Sequence, residues 1–114
     1  MTIDEIYDLI GGNVFKNIKH EDWIEARLFI QGDDNYVETK GSYTTADEKT
    51  HQLNIHAFDD ELDFALMELH EIMTKESNNK WNRAIYTLFP SSKFDMEFIW
   101  DQDLQDDLEK LSKE

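Results

Sequence analysis

Several short stretches of this chain carry residue types that could do chemistry. HEIMT, His70 to Thr74, opens like the zinc motif H-E-x-x-H, but its fifth position is Thr74, so the second imidazole is missing. His51 and His56 are five apart, which on a strand puts them on opposite faces and argues against a shared metal site. His20 falls in a loop with no evident partner. Near the C-terminus, FDMEFIWDQDLQDDLEK (Phe94 to Lys110) holds seven acids and contains D-x-D. An EF-hand loop counted from Asp101 needs Gly at its sixth position and Glu at its twelfth, where this chain has Asp106 and Ser112. No metal is expected.

Nucleophilic chemistry finds equally little. Cysteine is absent, no G-x-S-x-G elbow occurs, and no P-loop or G-x-G-x-x-G is present to cradle a cofactor phosphate. Paired carboxylates abound, yet on so acidic a chain they are weak pointers to acid–base catalysis. The expectation is a protein without cofactor and without enzymatic activity.

The charge is more informative. There are 26 acids and 11 bases, a formal net charge of −15. Such a chain repels nucleic acid and anionic membrane surfaces, and attracts basic proteins. Trp23, Trp81 and Trp100 have no interleaved bases, so they suit the core or the margins of a sheet better than base stacking. No apolar run approaches the ~20 residues of a membrane span. The start, MTIDEIYDLI, is acidic where a secretory leader needs a basic segment. With no cysteine framework, a cytoplasmic location is expected.

The elements that must position these residues read as one α+β domain over residues 1–114. Thr2 and Glu5 match a capping box, and Ile3, Ile6, Tyr7 and Ile10 keep helical spacing toward Ile18, with Gly11-Gly12 a point of weakness or kinking. Trp23 to Gln31 alternates, with Ile24, Ala26, Leu28 and Ile30 directed inward. GDDN is a turn, Tyr36 to Thr44 a second strand, and Leu53, Ile55 and Ala57 mark a third. Glu61 to Lys75 is a helix with the stripe Leu62, Ala65, Leu66, Leu69, Ile72 and Met73, ended by ESNNK. Arg83 to Phe89 and Lys93 to Trp100 are two more strands. Asp101 caps a last helix striped by Leu104, Leu108 and Leu111. The order α-β-β-β-α-β-β-α predicts an antiparallel sheet of about five strands with helices over one face. Leu28, Ile30, Leu66, Leu69, Phe94 and Phe98 are expected in one core.

Two acidic faces remain to be weighed. In the last helix Asp101 and Asp103 sit where the dipole favours acids, and Asp106–Lys110 and Glu109–Lys113 are favourable i,i+4 pairs. Most of that face has a local explanation. Asp107 has none, and Asp103, Asp106 and Asp107 stay candidates for partner contact. The central helix is less easily explained. Asp60, Asp63, Glu68 and Glu71 point away from its apolar stripe, as do Phe64 and Met67. An apolar anchor in a charged rim is the anatomy of a protein interface, although a second layer covering Phe64 and Met67 is the plain alternative.

Three segments together, WIEARLFIQGDDNYVETKGSY, FDDELDFALMELHEIM and WNRAIYTLFPSSKFDMEFIWDQD, resemble the YezG-like immunity protein family of bacterial polymorphic toxin systems. The likeness runs from about Ile6 to Asp107 and rests on patterned aromatics and strands. It implies a cytoplasmic protein that binds and neutralises the toxic C-terminal domain of a contact-dependent or secreted effector, often a nuclease. A nuclease needs a basic substrate groove, which an acidic inhibitor complements. Two other readings stay open: an acidic adaptor or chaperone-like module for a secretion substrate, and a small hydrolase using a carboxylate pair.

Overall fold

The computed structural model describes residues 1–76 and 78–113, apart from the side chains of Ser112 and Lys113. In chain order it contains α1 (Ile3–Lys16), β1 (Trp23–Gly32), β2 (Val37–Thr45), β3 (Thr50–Gln52), a 3₁₀ turn (Ile55–Ala57), α2 (Glu61–Glu76), β4 (Arg83–Leu88), β5 (Phe94–Ile99) and α3 (Gln102–Lys113). The five strands form one antiparallel sheet in the order β3-β2-β1-β4-β5. This is the expected α+β fold with the expected element order. Of the ESNNK stretch that follows α2, Ser77 lies outside the described residues.

Local chemistry starts the fold. The Thr2 hydroxyl accepts from the Glu5 N–H at 3.1 Å, and the Glu5 carboxylate accepts from the Thr2 N–H at 2.9 Å, closing a capping box on α1. The Asp33 carboxylate accepts from the N–H groups of Asn35 and Tyr36 and shapes the β1–β2 turn. α1 and α2 then pack on one face of the sheet. Ile6, Ile10 and Val14 from α1 meet Leu62, Ala65, Leu66 and Leu69 from α2 over Ala26, Leu28, Ile30, Ala84 and Tyr86. Trp81 is 1% exposed and belongs to this core, and Trp23 closes it at the other end.

Four expectations fail, each for a physical reason. α1 runs unbroken through Gly11-Gly12 because three apolar residues around them are fully buried, which outweighs weak propensity. Gly11 is also where α1 rests on the sheet: a Cβ there would lie 2.7 Å from the Tyr86 hydroxyl. In β1 the register shifts between Trp23 and Glu25, so Trp23 takes the inward slot and Ile24 is left 49% exposed. Phe94, expected in the core, is 42% exposed; on the edge strand β5 its ring stacks on Tyr86 and tilts against Tyr7, leaving part of it in water. Finally, the third strand is Thr50–Gln52, not Leu53 to Ala57. The Asn54 carboxamide accepts from the His56 N–H at 3.2 Å and turns Ile55 to Ala57 out of the sheet. His56 is therefore on a turn and does not share a strand with His51.

Candidate functional site: the acidic face of α2

α2 buries one stripe and leaves the opposite one free. Asp60, Asp63, Phe64, Met67, Glu68 and Glu71 recur at i, i+3, i+4 and so line up along the outer side. Phe64 is 71% exposed, the most exposed of the large apolar side chains. Met67 and Glu68 are half-buried. Two of the acids have local partners: Glu68 accepts from the Met1 ammonium at 2.7 Å, and Glu71 bridges Lys75 at 2.8 Å. The carboxylates of Asp60 and Asp63 have no ion pair or hydrogen bond among the described residues. Both lie on the N-terminal side of Phe64, on the same outer side of the helix.

The N-terminal end of α2 is held firmly. The Asp59 N–H donates to the Asn13 carboxamide at 2.8 Å, and the Asp59 carboxylate takes Lys16 Nζ at 2.6 Å. The Lys16 ammonium keeps the Asp59 carboxyl below its ordinary range. Between this end of α2, the 3₁₀ turn and β2 lies a groove of about 520 Å³, with Glu38, Asp60 and Asp63 among its lining residues. Glu38 was not foreseen as a site residue. Its side chain belongs to the other face of β2: Val37 and Thr39 turn with the buried Tyr43 and Thr45 toward the helices, whereas Glu38 turns with Lys40 toward a second cleft lined by Phe29, Gln31 and Arg83.

The acids of α3 stand apart. Asp101 caps the helix by accepting from the Leu104 N–H at 3.1 Å, and Arg83 Nε donates to its other oxygen at 2.8 Å. Both contacts hold its carboxyl below the ordinary range. Asp103, Asp106 and Asp107 are exposed. Asp106 accepts from the Gln102 carboxamide at 2.9 Å instead of pairing with Lys110. The expected Glu109–Lys113 pair involves a side chain outside the described residues. Gln105 and Glu109 share a cleft with His70 and Thr74, at the C-terminal end of α2. The α3 acids thus do not merge with Asp60 and Asp63, which sit at the other end of that helix.

Two histidines have partners that their spacing did not show. His70, expected on the helix flank, turns inward. Its Nδ1 meets the Asp34 carboxylate and its Nε2 meets the Trp81 carbonyl at 2.7 Å, so both nitrogens are engaged. That leaves neither ring nitrogen to take a proton from a nucleophile, and Thr74, the nearby hydroxyl, back-bonds to the His70 carbonyl. His20, expected without a partner, shares a 2.6 Å hydrogen bond with the Tyr43 hydroxyl and stacks on His51 at 4.2 Å. Among the described residues no group of three or more His, Asp or Glu is arranged to hold a metal ion.

Glu5, Asp47, Asp59 and Asp101 are all held low by hydrogen bonds and neighbouring cations. A general acid working near neutrality needs the opposite displacement. The outer side of α2 thus presents one exposed aromatic ring next to two carboxylates with no partner among the described residues. No helix among the described residues is long and apolar enough to cross a membrane. Neither a protein-family model nor a curated protein matches the chain.

Proposed function

We propose that the protein is an immunity protein, of the kind its segments resemble, which acts in the cytoplasm by binding and blocking a basic toxin domain, a nuclease by preference. The observation that carries this reading is Phe64, 71% exposed on the same outer side of α2 as Asp60 and Asp63, whose carboxylates have no partner among the described residues. Exposing an aromatic ring costs hydrophobic free energy that burial in a partner recovers. The surrounding acids select for a basic partner and speed its approach, on a chain whose net charge is −15. No catalysis is invoked; inhibition follows from occupancy of the toxin's basic groove.

The test is capture followed by rescue. The tagged protein is used to capture partners from its native cells, and the bound protein is identified. Co-expression with the captured toxin domain should restore growth, in one-to-one stoichiometry and with little effect on unrelated toxins. Binding should weaken as salt rises, mostly through the association rate. Broad, weak capture of many secretion substrates would favour the adaptor reading instead. Turnover lost on changing a single carboxylate would favour a hydrolase.

A further inference from the structure

The groove at the start of α2 runs beside a strand that has lost its neighbour. β3 pairs with β2 only at Ser42, Tyr43 and Thr44. One further bond, Leu53 N–H to the Gly41 carbonyl at 2.9 Å, ends that ladder. In an antiparallel ladder successive residues turn their backbone groups to opposite sides. Gly41 faces β3, so Thr39 and Val37 face the same way, whereas Glu38 and Lys40 face β1. Among the described residues nothing bonds the N–H and C=O groups of Val37 and Thr39 on the open side. The segment that would have covered them, Ile55 to Ala57, is held in its turn by Asn54.

An unpaired edge is a template for another strand. Here the template has walls. The groove beside it takes apolar lining from Ile55 and Phe58, and charge from Asp60 and Asp63. We infer that the Val37–Thr39 edge receives an extended, lysine- or arginine-bearing segment of the partner. Its backbone would bond Val37 and Thr39, and its basic side chains would meet the Asp60 and Asp63 carboxylates. This rests on the immunity reading and deepens it, because Asp60 and Asp63, which line the groove, belong to the same outer side of α2 as Phe64. A second copy of the chain fits poorly, since edge-to-edge pairing would bring two acidic rims together.

The edge can be tested without the toxin. Isotope-labelled protein is titrated with the peptide acetyl-Lys-Val-Lys-Val-Lys-amide and with its glutamate counterpart. The basic peptide should shift the Val37 and Thr39 amide signals saturably and slow their solvent exchange by about tenfold or more. The acidic peptide should do neither. Thr39→Pro removes an edge donor that β1 does not use, and should weaken the basic peptide about tenfold. If that variant misfolds, Asp60→Asn with Asp63→Asn gives the second reading, a weaker and less salt-sensitive interaction. Unmoved Val37 and Thr39 amides at millimolar peptide would overturn the inference, as would sedimentation showing a dimer that protects these same amides. A captured toxin that leaves both amides exchanging as in the free protein would also overturn it, while keeping the immunity reading. Absence of any rescuing toxin would sink that reading and leave the peptide result to stand alone.

Discussion

α2 and α3 are both amphipathic, both acidic and both striped with leucine, yet the fold uses them differently. Leu62, Leu66 and Leu69 of α2 are at most 1% exposed, within the core shared with α1 and the sheet. Leu104 and Leu108 of α3 are half-buried and Leu111 is 67% exposed. The acids differ in the reverse sense. Those of α3 near its start serve the helix itself, through the Asp101 cap, Arg83 and Gln102. Asp60 and Asp63 lie at the start of α2, where the dipole favours acids, but their carboxylates hold no ion pair or hydrogen bond among the described residues. A rigid, buried helix with idle charges on its outer face suits recognition, because little order has to be imposed on binding. A lightly seated helix that spends its charges on its own stability suits it less.

The strongest way to break this contrast is to delete buried carbon. Leu69→Ala should cost about 2–5 kcal/mol, and Leu108→Ala less than about 1 kcal/mol, read from denaturant unfolding. Equal midpoints for the two variants would mean that α2 is no better anchored than α3. Next in size is binding. Reversing Asp60 and Asp63 together to Lys should weaken the captured toxin by more than about tenfold, with a small loss of stability because the dipole disfavours cations at a helix start. Reversing Asp106 and Glu109 should weaken it less and lower stability slightly. If the α3 pair proves the more damaging, WDQDLQDDLE is the recognition face and the ranking is inverted.

Two pH tests sharpen the comparison further. Burial pushes the Tyr86 phenol, beneath α1, up to about 12 from an ordinary value of 10.0. A raised folded pKa leaves its stability contribution whole below the ordinary value and removes it as pH rises through the folded one. Thermal melts should therefore fall between pH 10 and about 12, and Tyr86→Phe should flatten that fall. Asp101 lies at the other extreme, with its carboxyl held below 3.8. Its contribution is present above that value and is lost as pH falls through the lower, folded one. Acid should thus loosen α3 first: amide exchange at Leu108 should quicken while Leu66 and Leu69 stay protected. Asp101→Ala should reproduce a weaker form of this loosening at neutral pH, the smallest effect of the series.

Much of the architecture was legible because it is written in local periodicity. The capping box at Thr2, the inward alternation from Ala26 to Ile30 and the Leu62–Leu69 stripe each depend on a few neighbouring residues and on the repeat of one element. Those signals survive into the fold because burial and backbone bonding reward the same arrangement. The candidate site was legible in part. Asp60, Asp63 and Phe64 could be placed on an outward stripe by spacing alone, but whether anything covered them could not.

Charge, element order and the faces of the long helices were thus determined by the chain's own pattern. Tertiary structure decided the rest. A one-residue shift at Trp23 exchanged an indole for Ile24 in the core, since a pleated strand flips every side chain when its register slips. His20 found Tyr43 and His51, and His70 found Asp34, across separations of many residues. At Asn54 the apolar alternation of Leu53, Ile55 and Ala57 favoured a longer third strand, but a side-chain cap and the burial of Leu53 and Phe58 beneath it drew the chain into a turn. That departure left the open side of Val37 and Thr39 without a neighbour, beside Asp60 and Asp63. An unpaired edge is a relation between segments distant in sequence, so no stretch of the sequence taken singly could carry it.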